Sequence, residues 1–125
     1  LLMSIPGIGT TIATTLLAEI GDVTRFPGGD CLVAFCGLDP RVKQSGIGLH
    51  HNTHLTKRGS PYLRRTVFLA ASIAQRHDTE LKTYYEKKRN EGKFYKEATV
   101  AVARKLLYRI YAVWKRQTPF VVRSI

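Results

Sequence analysis

Ser60-Pro61-Tyr62-Leu63-Arg64-Arg65-Thr66-Val67-Phe68-Leu69-Ala70-Ala71-Ser72-Ile73-Ala74-Gln75-Arg76-His77 decides how this chain is read. A serine oxygen satisfies a free backbone N–H at an N-cap, and proline loses nothing at the first helical position, so a helix starts at Pro61. Leu63, Val67, Ala70, Ala71 and Ala74 then recur on one face, with Phe68, Leu69 and Ile73 widening it, so most of the helix is core. Lys57, Arg58, Arg64 and Arg65 surround its start. A helix N-terminus is already partly positive, and stability alone would place Asp or Glu there. An anion resolves the conflict. The expectation is a nucleic-acid phosphate held by backbone N–H groups and arginine forks, with Ser45 of Gln44-Ser45-Gly46 brought up as the group that acts on it.

Outward from that helix the chain is helical on both sides. Ile5-Pro6-Gly7-Ile8-Gly9 is a glycine-rich turn, followed by Ile12, Leu16, Leu17 and Ile20 at helical spacing and closed by Gly21. The turn resembles the second half of a helix-hairpin-helix, in which glycines such as Gly7 and Gly9 let backbone N–H groups approach a DNA phosphate. The other reading is a tight turn before a core helix, which the acidic balance of this segment favours. Asp30 is expected to cap a short apolar helix, Cys31 to Cys36, ended by Gly37. After Asp39-Pro40, weak alternation with Gly46 and Gly48 suits an irregular or β-hairpin arm at about 41–56. Glu80 to Asn90, closed by Gly92, predicts a helix with Tyr84 and Tyr85 against the core and a basic outer face. Tyr95 to Gln117 predicts a last helix with Ala98, Val102, Leu106, Ile110 and Val113 on one stripe, stopped by Pro119. Arg104, Lys105, Arg109, Lys115 and Arg116 lie off that stripe. The fold class is mostly α: one compact helical domain over 1–125, with a helix-hairpin-helix-like N-terminal part and one arm.

The net charge is +11, and residues 1–40 hold one base against four acids, so residues 41–125 carry +14. Such asymmetry points to a polyanion, because each phosphate neutralised releases counterions. A merely solubilising surface is the alternative. No apolar run is long enough to span a membrane, and Leu1-Leu2-Met3-Ser4-Ile5 is too short and uncharged for a signal peptide. Cys31 and Cys36 fall on different helix faces and read as reduced core residues, which implies a cytoplasmic compartment. The chain opens without Met and in mid-pattern, as a fragment of a longer protein does.

The chemistry-bearing residues each admit a plainer reading. Ser45 before Gly46 suits a turn, and a serine hydroxyl becomes a nucleophile only with a proton acceptor and stabilised phosphoryl oxygens. His50, His51 and His54 suggest zinc, but no Cys or carboxylate stands at ligand spacing. A general-base or phosphate-contact role, or a solvated polar arm, are the other readings. The nine acids are scattered singly, so no metal site is expected within the chain. Tyr62, Tyr84, Tyr85, Tyr95, Tyr108 and Tyr111 read mostly as core or interface residues, with Tyr62 in the cationic stretch the exception.

Four pieces in order carry a family resemblance: Ile5-Pro6-Gly7-Ile8-Gly9, Ala34-Phe35-Cys36-Gly37-Leu38-Asp39-Pro40, Gln44-Ser45-Gly46, and Thr56-Lys57-Arg58-Gly59-Ser60-Pro61-Tyr62-Leu63-Arg64-Arg65 before an Ala-rich helix. Together they resemble the C-terminal catalytic domain of the DEDD transposases of insertion-sequence family one-ten, also called one-sixteen and nine-oh-two, described as bridge-RNA-guided recombinases. The resemblance implies a two-part enzyme. An N-terminal RuvC-like domain holds Mg²⁺ on four acidic ligands, and this domain supplies a nucleophilic serine at the position of Ser45. It also implies a covalent phosphoserine link to DNA, a composite site between subunits of a homo-oligomer, and structured guide RNA and DNA as partners near the nucleoid of a prokaryote. By position Lys57, Arg58, Arg64 and Arg65 would hold phosphates. Without the RuvC-like part, the fragment is expected to bind and not recombine. The rival function is a non-enzymatic helix-hairpin-helix module, and a lesser one is a ribosome-like RNA binder.

Overall fold

The computed structural model describes residues 1–38 and 60–121. They form α1 (Thr10–Ile20), α2 (Gly29–Phe35), α3 (Pro61–His77), α4 (Thr79–Asn90) and α5 (Tyr95–Arg116), with short 3₁₀ turns at Leu2–Ser4 and Val23–Arg25. No strand occurs among the described residues, and the fold is mostly α as expected. The arm expected at about 41–56 lies outside them.

The centre is α5, which packs against α2, α3 and α4. Its stripe of Ala98, Val102, Leu106, Ile110 and Val113 is buried, together with Ala103 and Leu107. Each fully buried Leu or Ile contributes roughly 1.5–3 kcal/mol relative to exposure, and Leu106, Leu107 and Ile110 of this helix are all fully buried. The helix ends one residue earlier than expected. Gln117 turns into the left-handed region (φ 60°) and its N–H bonds Val113 O, so the chain has left the helix before Pro119 is reached.

The face of α3 read from the sequence is the buried one: Leu63, Val67, Ala70, Ala71 and Ala74. Its alanines let other backbone come close. Gly7, at φ +95°, sits against them so tightly that a methyl group there would stand 2.7 Å from Ala74 Cβ and 2.8 Å from Ala70 O. The Ile5–Gly9 hairpin is therefore seated directly on α3, with Ile5 and Ile8 buried beneath it. From the hairpin, α1 runs with Ile12, Ala13, Leu16 and Ile20 inward. Leu17, expected on the same face, is 52% exposed, because α1 buries only the stripe that meets α3 and the first turn.

Two further corrections concern caps and aromatics. The N-cap of α2 is Gly28, and Asp30 stands inside the first turn. There a carboxylate still favours the positive end of the helix without bonding as a cap. Gly37, at φ +78°, closes α2: its N–H bonds Ala34 O and the Leu38 N–H bonds Val33 O, the paired bonds of a Schellman ending. Among the tyrosines, Tyr84, Tyr85 and Tyr111 pack against the core, whereas Tyr95 and Tyr108 are about half exposed, 57% and 49%.

The helices are tied at Asp78, which ends α3 and caps α4 by accepting from the Leu81 N–H at 2.9 Å. Arg109 of α5 donates to both carboxylate oxygens of Asp78, at 2.8 and 3.3 Å, and also bonds Glu80. The Phe120 ring covers that guanidinium at 4.7 Å, and the Phe120 N–H donates to Ser4 Oγ at 2.8 Å, joining the end of the described chain to its beginning. Cys31 and Cys36 are both free thiols; burial pushes Cys36 up to about 12. No helix among the described residues is long and apolar enough to cross a membrane.

Candidate nucleic-acid interface

Ser60 is the N-cap of α3 and Pro61 its first residue, as the sequence requires. The Ser60 hydroxyl accepts from the Leu63 N–H at 3.2 Å and donates to Glu19 Oε1 at 2.7 Å. Glu19 comes from the last turn of α1, 41 residues away. The acidic N-terminal segment thus brings a carboxylate to the positive end of α3 that the sequence reading did not foresee. No local signal could have revealed it, since helix dipole arguments see only residues on the same helix.

Arg64 and Arg65 both project from the first turn of α3 into solvent. They differ in their surroundings. A methyl group on Gly37 would stand 3.5 Å from Arg64 Nη1, so Arg64 lies along the end of α2. The chain thus leaves the described body at Leu38 beside the helix on which it returns at Ser60. Ser45, Lys57, Arg58 and the histidines 50, 51 and 54 belong to the stretch between, outside the described residues. Arg65 is exposed, three residues from Tyr62, which is 53% exposed.

The two hairpin glycines separate in role. Gly7 is held by packing on α3. Gly9 is exposed, has nothing within 4 Å of where a side chain would start, and is the N-cap of α1 without a side-chain bond. Beside it an open groove of about 620 Å³ runs between the hairpin and α3, with Met3, Ile8 and Thr11 on one wall and Leu69 and Ile73 on the other.

Several bases counted toward the positive charge serve the fold. Arg109 is held by Asp78 and Glu80. Arg104 donates to Leu38 O at 3.3 Å, and Arg25 stacks on Phe26 and Phe35 at 4.7 and 4.8 Å. Lys88 and Lys105 both approach the Tyr84 ring, at 5.3 and 4.5 Å. Among the described residues no three His, Cys, Asp or Glu side chains converge as metal ligands.

A family model described as Transposase IS116/IS110/IS902 family matches residues 1–86, from the hairpin through most of α4. The chain belongs to the IS116/IS110/IS902 transposase family. The motif resemblance and this match point to the same family. Among related members, an insertion element IS110 uncharacterized 43.6 kDa protein of Streptomyces coelicolor is 34% identical over 117 residues, covering 94% of this chain and 29% of that protein. The pilin gene-inverting protein of Moraxella bovis is 36% identical over 122 residues, 96% of this chain and 38% of that protein. The transposase for insertion sequence element IS1111A of Coxiella burnetii is 33% identical over 120 residues, 94% of this chain and 33% of that protein. The chain therefore spans about a third of the length of the curated relatives it matches. No solved structure matches it.

Proposed function

We propose that this chain is the serine-bearing domain of a DNA transposase or site-specific recombinase. The observation that carries the reading is the family match over residues 1–86, which encloses Ser45 and the cationic start of α3. Relatives named a transposase and a pilin gene-inverting protein support a DNA rearrangement, since transposition and inversion both need strands cut and rejoined. Ser45 is the nucleophile in this reading. Its hydroxyl oxygen bonds to a DNA phosphorus as one strand's P–O bond breaks; the serine proton passes to a base, and the departing strand's oxygen takes up a proton to leave as a hydroxyl. The phosphoserine conserves the bond energy, so the reverse step rejoins a strand. Arg64, Arg65, Lys57 and Arg58 hold phosphates of DNA or of a structured guide RNA, and Gly9 contributes backbone at the hairpin. The described residues do not form a Mg²⁺ site. Such an ion belongs to a RuvC-like domain outside this chain, where it would neutralise phosphoryl charge, in a composite site between subunits. On this reading the protein works at the prokaryotic nucleoid, and the isolated chain binds without recombining.

The test is Ser45→Ala in the full-length protein. Strand cleavage and the covalent protein–DNA adduct disappear while DNA binding stays. Full recombination by that variant would remove Ser45 from the chemistry and leave the non-enzymatic helix-hairpin-helix module.

A further inference from the structure

The ridge of α3 that faces away from the core carries a pattern that the buried stripe does not use and that the Ser45 site shares only at Arg65. Tyr62, Arg65, Leu69, Ser72 and Arg76 follow one another at spacings of three and four, so they share one side of the helix. Arg65 and Arg76 are exposed, and Leu69 between them is 53% exposed. On one flank the ridge borders the hairpin, because Leu69 and Ile73 line the same groove as Met3 and Ile8. Neither element contains an acid: there is no Asp or Glu in residues 1–18 or in residues 61–77. The fixed charge contributed by these two elements is therefore all positive.

That combination discriminates among occupants. A face kept only for solubility interleaves both signs, whereas this ridge and the hairpin beside it carry no acid. A second copy docking here through a twofold axis would bring arginine against arginine on an isologous patch, which is repulsive. A polyanion meets complementary charge at both Arg65 and Arg76 and no opposing carboxylate between them. Eleven residues of helix separate Arg65 from Arg76, about 16 Å along the axis. That span brackets the B-form major groove, roughly 12 Å wide, whereas the A-form major groove of duplex RNA is narrow and closed to side chains. Single strands are held on stacking platforms of several aromatics, and this ridge offers one, Tyr62, at its end.

Resting on the DNA reading above, we propose that the outer ridge of α3 is a duplex-DNA contact in which Arg65 and Arg76 hold phosphates on the two rims of a major groove and Leu69 lies over the groove between them. Arg76 and Leu69 thereby extend the contact from Arg65, a member of the cationic cluster at the start of the helix, along the whole outer side of α3. Phosphate contacts set position and salt dependence, and Leu69 offers an apolar contact of the kind that meets a thymine methyl.

The experiment is duplex-DNA binding by the full-length protein carrying this chain, measured by fluorescence anisotropy across a salt series on a short mixed-sequence B-form duplex. Arg76→Ala weakens binding and makes the slope of log K against log salt shallower by roughly 0.9, the value of one lost phosphate contact. Arg65→Ala does the same, and the double variant loses both contributions. Lys82→Ala with Arg89→Ala, exposed bases on α4, leaves the slope unchanged. Leu69→Asp weakens binding while the variant stays monodisperse and folded by circular dichroism. Binding with an unaltered slope in Arg76→Ala overturns the ridge contact and leaves the DNA reading standing. Absence of any duplex binding by the unaltered protein overturns both. Dissociation of an oligomer by Leu69→Asp, with DNA affinity unchanged, overturns the proposal in favour of an interface between copies.

Discussion

Ser60 and Glu19 meet across 2.7 Å at the start of α3, the serine hydroxyl donating to the carboxylate while accepting the Leu63 N–H. One side chain thus caps a helix and joins it to α1. The bond also accounts for the isolated acid in the otherwise uncharged first nineteen residues. It holds in place the point at which the chain re-enters the helical body after Leu38.

Ser60→Ala removes both bonds and is expected to destabilise by about 1 kcal/mol, the usual value of an N-cap. Glu19→Ala keeps the cap and removes only the carboxylate, with a loss of about 0.3–1 kcal/mol. Because the two residues share one interaction, the double variant should lose less than the sum. Urea unfolding of the four proteins measures this, and strictly additive losses would show that the contact carries no energy.

At Asp78 burial alone would raise the carboxyl pKa, but the Arg109 guanidinium and the Leu81 N–H outweigh it and hold the group below its ordinary 3.8. A lowered folded-state pKa means that the unfolded chain takes up the proton first as pH falls. The contribution is complete above pH 3.8 and is lost as pH drops through the lower folded value. Asp78→Asn should flatten that acid limb in a pH series of thermal melts. Asp78→Ala should lose about 3 kcal/mol near neutrality, the low end for a broken buried pair because Glu80 remains beside Arg109.

Gly7→Ala places a methyl 2.7 Å from Ala74 Cβ on a backbone at φ +95°, so the hairpin must lift from α3. A loss of about 1–3 kcal/mol follows, as for other overpacked sites. Gly9→Ser meets nothing within 4 Å and supplies the cap that α1 lacks, so a gain of a few tenths of a kcal/mol, about 0.3, is expected. Equal effects at the two glycines in chemical denaturation would contradict this division.

Cys36 is buried with its thiol pushed up to about 12, whereas Cys31 is only partly covered. A maleimide at neutral pH should therefore label Cys31 and reach Cys36 only in denaturant, as mass spectrometry of the peptides would show. Between pH 9.0 and about 12 the unfolded thiol ionises while the folded one does not, so stability falls with rising pH in that window. Rapid labelling of Cys36 in the native protein would contradict its burial.

Much of the helical framework was legible because its signals are local. Ser60-Pro61 at a cap, alanines and aliphatics at three- and four-residue spacing, and Gly37 and Gly92 after helix ends each depend on backbone geometry within a turn or two. The same reasoning misjudged Leu17 and Asp30. Whether an apolar residue is covered, or which residue caps, depends on what packs against that turn, and periodicity carries no information about the partner.

The sequence by itself determined that the chain is helical, that Ser60 opens a helix with a cationic start, and that the four motifs name the transposase family. Tertiary structure alone decided which charges remain for a ligand. It tied Arg109 to Asp78 and Glu80, set Arg104 on Leu38, carried Glu19 to Ser60, and left Arg65 and Arg76 exposed on one ridge. The reason is range. Helix formation depends on neighbours along the chain, whereas the fate of a charge depends on whichever group folding brings within a few ångströms of it.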